Sequence, residues 1–146
     1  GAVLAAEAFG LDAFVRLCGD RPLFPIDDLH RAAEAIQAAG DPTDLVTSCL
    51  DQSCPRGLTT EIVRTATLRH ILGRGLSADQ QEHITRYFYE HPQAFRIGAL
   101  APPQVSLSCP GFAVDTESDL AILDRIFTLC PAIDLSPADA DRIHAA

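Results

Sequence analysis

Positive charge is scarce in this sequence of 146 residues: 11 basic side chains stand against 20 acidic ones, for a formal charge of −9 and an isoelectric point near 4.8. Without a basic field, nothing draws in phosphate backbones or anionic bilayer surfaces by counterion release, so DNA, RNA and membrane are poor partners. Long apolar runs are also lacking. Asp, Arg or Pro interrupts each stretch well short of the roughly 20 apolar residues that a spanning helix needs. The opening GAVLAAEAFG has no basic leading region and meets Glu7 early, so it reads as a helix entered mid-element and not as a secretory signal. Paired cysteine spacing is missing too: Cys18, Cys49, Cys54, Cys109 and Cys130 form no C-x-x-C, which excludes a zinc ribbon and fits reduced thiols in a cytoplasmic protein. Cys18 and Cys49 each close an apolar run and read as small buried hydrophobes. Methionine and tryptophan do not occur, and their absence carries no functional information. There is no internal repeat and no low-complexity tract, which excludes a solenoid, and Pro and Gly are dispersed as punctuation with no linker among them. At 47% hydrophobic, residues 1–146 can bury one core and are expected to form one domain.

What is present is an alternation of two periods. Residues 12–18, DAFVRLC, read as a buried strand ended by Gly19-Asp20. Asp27 or Asp28 can cap a following crossover helix that turns Leu29, Ala32, Ala33 and Ile36 inward, with Gly40 as its terminator. DLVTSC (44–49) and LTTEIV (58–63) are the next strands, and a helix follows around 66–73. Ser77 and Gln80 form a capping box for a helix running to about Glu90, stopped by His91-Pro92. FRIGAL (95–100), VSLSC (105–109) and FAVD (112–115) resume the strand pattern. Thr116 with Asp119 caps a helix that faces Leu120, Leu123, Ile126 and Phe127 inward, and Ser136-Pro137 opens a last short one. Strands alternating with helices predict an α/β layered sheet.

In open α/β sheets, ligands gather beyond the carboxyl ends of the strands, and here Asp20 and Asp115 each follow an apolar strand directly. Magnesium prefers oxygen ligands and is commonly held by one or two carboxylates plus substrate phosphates, so the pair suits a nucleoside triphosphate site. An aspartate after a strand is equally a helix cap or turn former. Arg16, two residues before the Gly-Asp turn, is either one half of a structural ion pair or a contact in the site. Glu82 and His83 lie on the capped helix as hydrogen-bonding or acid/base groups, or as a surface pair. Tyr87, Phe88, Phe95 and Phe127 read as core.

Four segments in order carry a resemblance. VRLCGDRPL (15–23) is similar to a V-R-x-x-G-D-x-P-L element, and SCPRGLTTEIV (53–63) to P-R-G-L-D-x-E-V. EHITRYFYEHPQAFRIG (82–98) is similar to R-E-H-V-T-x-Y-x-Y-x-H-P-x-x-F-R, and FAVDTESDL (112–120) to V-D-T-P-E-D-L. The family is the sugar cytidylyltransferases of the spore-coat polysaccharide type, relatives of the acylneuraminate and deoxyoctulosonate cytidylyltransferases. The resemblance covers residues 8–130, and its third segment is the most specific because no generic structural rule explains it. It implies a Rossmann-like three-layer sheet, Asp20 and Asp115 as catalytic residues and ligands of Mg2+, and a sugar pocket bordered by Arg56 and Glu61, with Arg16, Glu82 and His83 as further substrate contacts. Arg56 would clamp an anionic sugar and Glu61 would accept from its hydroxyls. Thr59 stands where the family has an acidic residue, which leaves the identity of the sugar open.

The implied activity is transfer of a cytidylyl group from CTP to a sugar, an acidic one, with release of pyrophosphate, in surface polysaccharide biosynthesis. A homodimer is expected by analogy with the class. Family members also begin with a strand and a loop that cradles the triphosphate; the expectation is that this chain starts after that segment, is the carboxyl-terminal portion of the domain, and binds nucleotide poorly by itself. A non-catalytic module that binds sugar or protein is the alternative. A phosphohydrolase using Asp20 lacks the D-x-D nucleophile motif.

Overall fold

The computed structural model describes residues 1–38, 43–50, 54–101 and 111–129. Its centre is a four-stranded mixed sheet in the order β1-β3-β2-β4, built from β1 (Ala13–Val15), β2 (Leu45–Thr47), β3 (Glu61–Arg64) and β4 (Ile97–Ala99). β3 runs antiparallel to both β1 and β2, whereas β2 and β4 are parallel. The strands β1, β2 and β4 therefore point the same way, and their carboxyl ends share one rim of the sheet.

The period-2 alternation sorts side chains onto two faces. Val46 and Ile62 pack with Ala32 and Ile36 of α2 (Ile26–Ala38), the crossover helix between β1 and β2. On the opposite face Leu45 and Val63 join Val3 of α1 (Ala2–Ala8), Leu68 and Ile71 of α3 (Thr65–Leu72), and Phe88 of α5 (Arg86–Glu90). Helices thus cover both faces, which is the three-layer α/β arrangement expected from the alternation of elements. Burial of each such Leu, Ile or Phe contributes about 1.5–3 kcal/mol before entropy is charged against it. A third cluster of Leu23, Leu58 and Phe112 with Leu123 and Ile126 of α6 (Glu117–Leu129) binds the rim loops together. β1 forms one edge of the sheet, and Leu4, Phe9 and Leu17 near it are exposed. Among the described residues, no helix is long and apolar enough to cross a membrane.

Several local expectations need correction. Asp27 and Asp28 do not precede α2 but occupy its first turn, where negative charge favours the helix dipole. Asp28 is buried, and desolvation pushes its carboxyl pKa up against the opposing pull of Arg31 at 2.7 Å. The Ser77–Gln80 capping box is present, yet the helix it opens, α4 (Ala78–Glu82), ends at His83. The chain kinks through residues 83–85 before α5 begins. Two hydrogen bonds reward that break: Thr85 Oγ1 donates to Glu61 of β3 at 2.9 Å, and the Arg86 amide donates to the His83 carbonyl at 2.9 Å. FAVD is not a sheet strand but an irregular segment along the rim. On α6, Leu123 and Ile126 are buried, whereas Leu120 and Phe127 face solvent. VSLSC, Gly40, Cys109, Cys130 and the helix placed at Ser136-Pro137 lie outside the described residues.

Candidate active site

Three loops meet on the rim: the Gly19-Asp20 turn after β1, the Pro55–Leu58 loop before β3, and residues 111–116 before α6. Backbone hydrogen bonds join them. The Phe112 amide donates to the Arg56 carbonyl at 2.7 Å and the Val114 amide donates to the Asp20 carbonyl at 2.9 Å. Glycine permits this closeness. Gly57 has φ +89°, and a Cβ there would lie 2.7 Å from the Ala113 nitrogen; Gly111 has φ +119°, and a Cβ there would lie 2.8 Å from Arg56 Cβ.

The consequence is that Asp20 and Asp115, 95 positions apart by subtraction of their numbers, are tied through adjacent backbone. Asp20 is half-buried and Asp115 is exposed. Arg56 donates from Nη1 to Asp115 Oδ2 at 2.5 Å, so the arginine expected to clamp substrate turns toward the aspartate instead. With the two side chains 59% and 51% exposed, this pair contributes under about 1 kcal/mol to stability. Behind it, Asp119 Oδ2 accepts from the Asp115 and Thr116 amides at 3.1 and 2.8 Å. The Thr116 hydroxyl and these amides hold the Asp119 carboxyl below its usual range. Asp115 therefore enters α6 through a reciprocal cap that fixes its backbone.

Beside this junction, on the α5 face of the sheet, opens a cleft of about 540 Å³. Thr59 and Glu61 come from the β3 side, Cys49 from the end of β2, and His83, Thr85 and Tyr89 from the broken helix. Glu61 is held from two directions: the Tyr89 hydroxyl donates to Oε1 at 2.5 Å and Thr85 Oγ1 donates to Oε2 at 2.9 Å. The Tyr89 hydroxyl also lies 2.9 Å from Thr47 Oγ1. Burial, followed by the neighbouring Glu61 charge, drives the phenol pKa far above its ordinary value, so Tyr89 stays a proton donor.

Of the expected site residues, Glu61 and His83 line this cleft together. Asp20, Arg56, Asp115, Arg16 and Glu82 do not, although Arg16 borders a small adjoining hollow of about 70 Å³ with Glu61 and His83. Arg16 donates to the Glu82 carbonyl at 2.9 Å, and both line a separate hollow beside α1. The sequence singles out neither Arg21, which lines the cleft, nor Tyr89. Tyr89 is a polar clamp. Its signal was the Thr-x-x-x-Tyr spacing, which places both hydroxyls one turn apart on a single helix face.

Next to the cleft, Cys54 donates its amide to Cys49 Sγ at 3.1 Å. Burial, together with Cys49, pushes the Cys54 thiol from 9.0 up to about 12. Both the Cys54 and Tyr89 pKa values are raised in the folded state. The stability they contribute is complete below the unfolded values of 9.0 and 10.0, and is lost as pH climbs toward the folded ones. The urea midpoint is expected to fall as pH rises from 9 toward 12. Cys54→Ser and Tyr89→Phe should each flatten that slope; an unchanged slope in both variants would refute the assignment.

No protein-family profile matches the chain. An uncharacterised protein of Methanocaldococcus jannaschii is 28% identical over 100 residues, which span 68% of this chain and 39% of that protein. A solved cytidylyltransferase from Leptospira borgpetersenii serovar Hardjo-bovis superposes with a TM-score of 0.86 at 22% sequence identity, covering 97% of this chain and 59% of that one. The chain therefore spans less than two thirds of each relative, and its α/β fold is the fold of that part of a cytidylyltransferase structure.

Proposed function

We propose that the protein carrying this chain transfers a cytidylyl group from CTP to an acidic sugar, releases pyrophosphate, and does so in the cytoplasm for surface polysaccharide synthesis. The observation that carries the reading is the junction at which the Val114 amide joins the Asp20 carbonyl, tying Asp20 to the segment that carries Asp115, with the next residue, Arg21, on the wall of a polar cleft. The cytidylyltransferase fold of the Leptospira neighbour supports it.

The donor set fits Mg2+: two carboxylates on neighbouring backbone, hard oxygen ligands only, with substrate phosphates left to complete the sphere. When bound, the ion lowers the pKa of the attacking hydroxyl and neutralises charge growing on the α-phosphoryl oxygens. Asp20 and Asp115 supply the negative charge that holds it. Arg56, 2.5 Å from Asp115 Oδ2, orients that carboxylate while leaving Oδ1 free of a described partner. Glu61, fixed by Tyr89 and Thr85, has lone pairs left to accept from sugar hydroxyls and so orient the acceptor.

The test is pyrophosphate release by the complete reading frame with Mg2+, comparing CTP with UTP, ATP and GTP over a panel of neutral and acidic sugars. Release that requires CTP and an acidic sugar is expected. No release with any pair would replace the reading with that of a non-catalytic binding module.

A further inference from the structure

The cleft holds a positive charge that the protein leaves unanswered. The chain contains no lysine, so its cations are arginine and histidine. Arg56 is committed to Asp115, and Arg16 to the Glu82 carbonyl. Arg86, which lines the cleft, is committed to Asp79 and Glu90. Arg21 lines the same cleft and a smaller adjoining hollow of about 70 Å³, and no described residue engages its guanidinium. Its Nε is buried without any hydrogen-bond partner. Burying a donor unpaired is costly, more so when it is charged, and a ligand acceptor reaching this guanidinium from the cleft would offset that cost.

Charge balance selects the ligand. Glu61 and Glu90 also line the cleft, and Glu90 is neutralised by Arg86. That leaves the Arg21 guanidinium and the His83 imidazole beside one carboxylate that is already hydrogen-bonded. A triphosphate would place several negative charges against Glu61, with only Arg21, His83 and the neighbouring Arg16 near to meet them. One carboxylate matches one guanidinium, whose two terminal nitrogens offer the parallel donor pair that a planar carboxylate accepts.

We propose that Arg21 is the residue that selects an acidic sugar: its guanidinium receives the sugar carboxylate in the cleft, while Glu61 takes a hydroxyl of the same molecule. This rests on the transferase reading for the identity of the acceptor, and it moves the anion-binding role from Arg56 to Arg21. Position also favours it. Arg21 directly follows Asp20, so an acid held there lies next to the aspartate junction.

The experiment observes arginine Nε–H resonances of the 15N-labelled chain by NMR. Uronic, aldonic and 2-keto sugar acids are added, each beside its neutral parent sugar, with CTP and inorganic phosphate in separate arms. The Arg21 signal is expected to move with a sugar acid and not with its neutral parent. Arg21→Gln should weaken that acid by about 10- to 100-fold and leave the neutral parent unaffected, whereas Arg21→Lys should fall between. Thermal midpoints close to wild type establish that both variants fold. If no sugar acid moves the signal, or if CTP or phosphate moves it and the acids do not, the proposal is overturned. A sugar acid that binds at Arg21 in a protein releasing no pyrophosphate would retain this inference and discard the transferase reading. Pyrophosphate release with unchanged acid preference in Arg21→Gln would do the reverse.

Discussion

Asp115→Asn is expected to lower pyrophosphate release by about 100- to 1,000-fold, with Asp20→Asn no milder, because each removes a full negative charge from a site where charge develops during transfer. Asparagine keeps the size of the side chain and can still accept from Arg56. The Arg56–Asp115 pair is more than half exposed on both sides, so losing it costs under about 1 kcal/mol of stability. A stability measurement therefore separates the two explanations: a collapse in turnover with a nearly unchanged thermal midpoint is electrostatic. If either variant turned over like wild type, Asp20 and Asp115 would be helix-capping and turn residues only. Raising Mg2+ should partly rescue Asp115→Asn if the defect lies in holding the ion.

The largest structural effect is expected at Gly57. Its φ of +89° costs a residue with Cβ about 1–2 kcal/mol, and a Cβ there would sit 2.7 Å from both the Ala113 nitrogen and the Phe112 carbonyl carbon. Those neighbours are backbone, with no flexible side-chain end to swing aside. Gly57→Ala should therefore destabilise the protein by about 2–4 kcal/mol, lowering the thermal midpoint by roughly 5–15 °C. The damage falls on function as well. Relief of the clash must part the Arg56 loop from residues 112–113, and Asp115 is carried on that segment. Gly19 is the contrast, since a Cβ there meets nothing within 4 Å, and Gly19→Ala should change stability by under about 0.5 kcal/mol. Equal midpoints for the two variants would refute the packed-loop account.

The layered α/β arrangement was legible because both periods are written plainly. Val46 and Ile62 alternate with Leu45 and Val63, and Ala32 and Ile36 repeat at helical spacing. The sheet order was not legible, since a period of two fixes which face a residue takes but not which strand lies beside it. The capping box at Ser77 announced its helix correctly, but not the helix's end. The break at His83 is rewarded by Thr85 reaching Glu61, a contact 24 positions away that no local propensity records. FAVD looks like a strand because it is a short apolar run, but Phe112 is buried against Leu58 and Leu123 and not in the sheet. Asp20 and Asp115 were singled out as residues that follow strands, but Asp115 follows the irregular 112–115 segment and Asp20 lies in a turn past the end of β1, so their shared backbone junction could not be read from the sequence. Arg21 could not be found that way: its buried Nε without a hydrogen-bond partner is a property of the folded chain and not of its spacing.

The most direct test of cytidylyl transfer is product analysis by mass spectrometry after incubating the complete reading frame with CTP, Mg2+ and a panel of sugar acids. The account predicts pyrophosphate and a cytidine monophosphate ester of one sugar acid in equal amounts, both lost together in Asp20→Asn. Intact CTP with every sugar, or orthophosphate without any cytidylylated sugar, would contradict it.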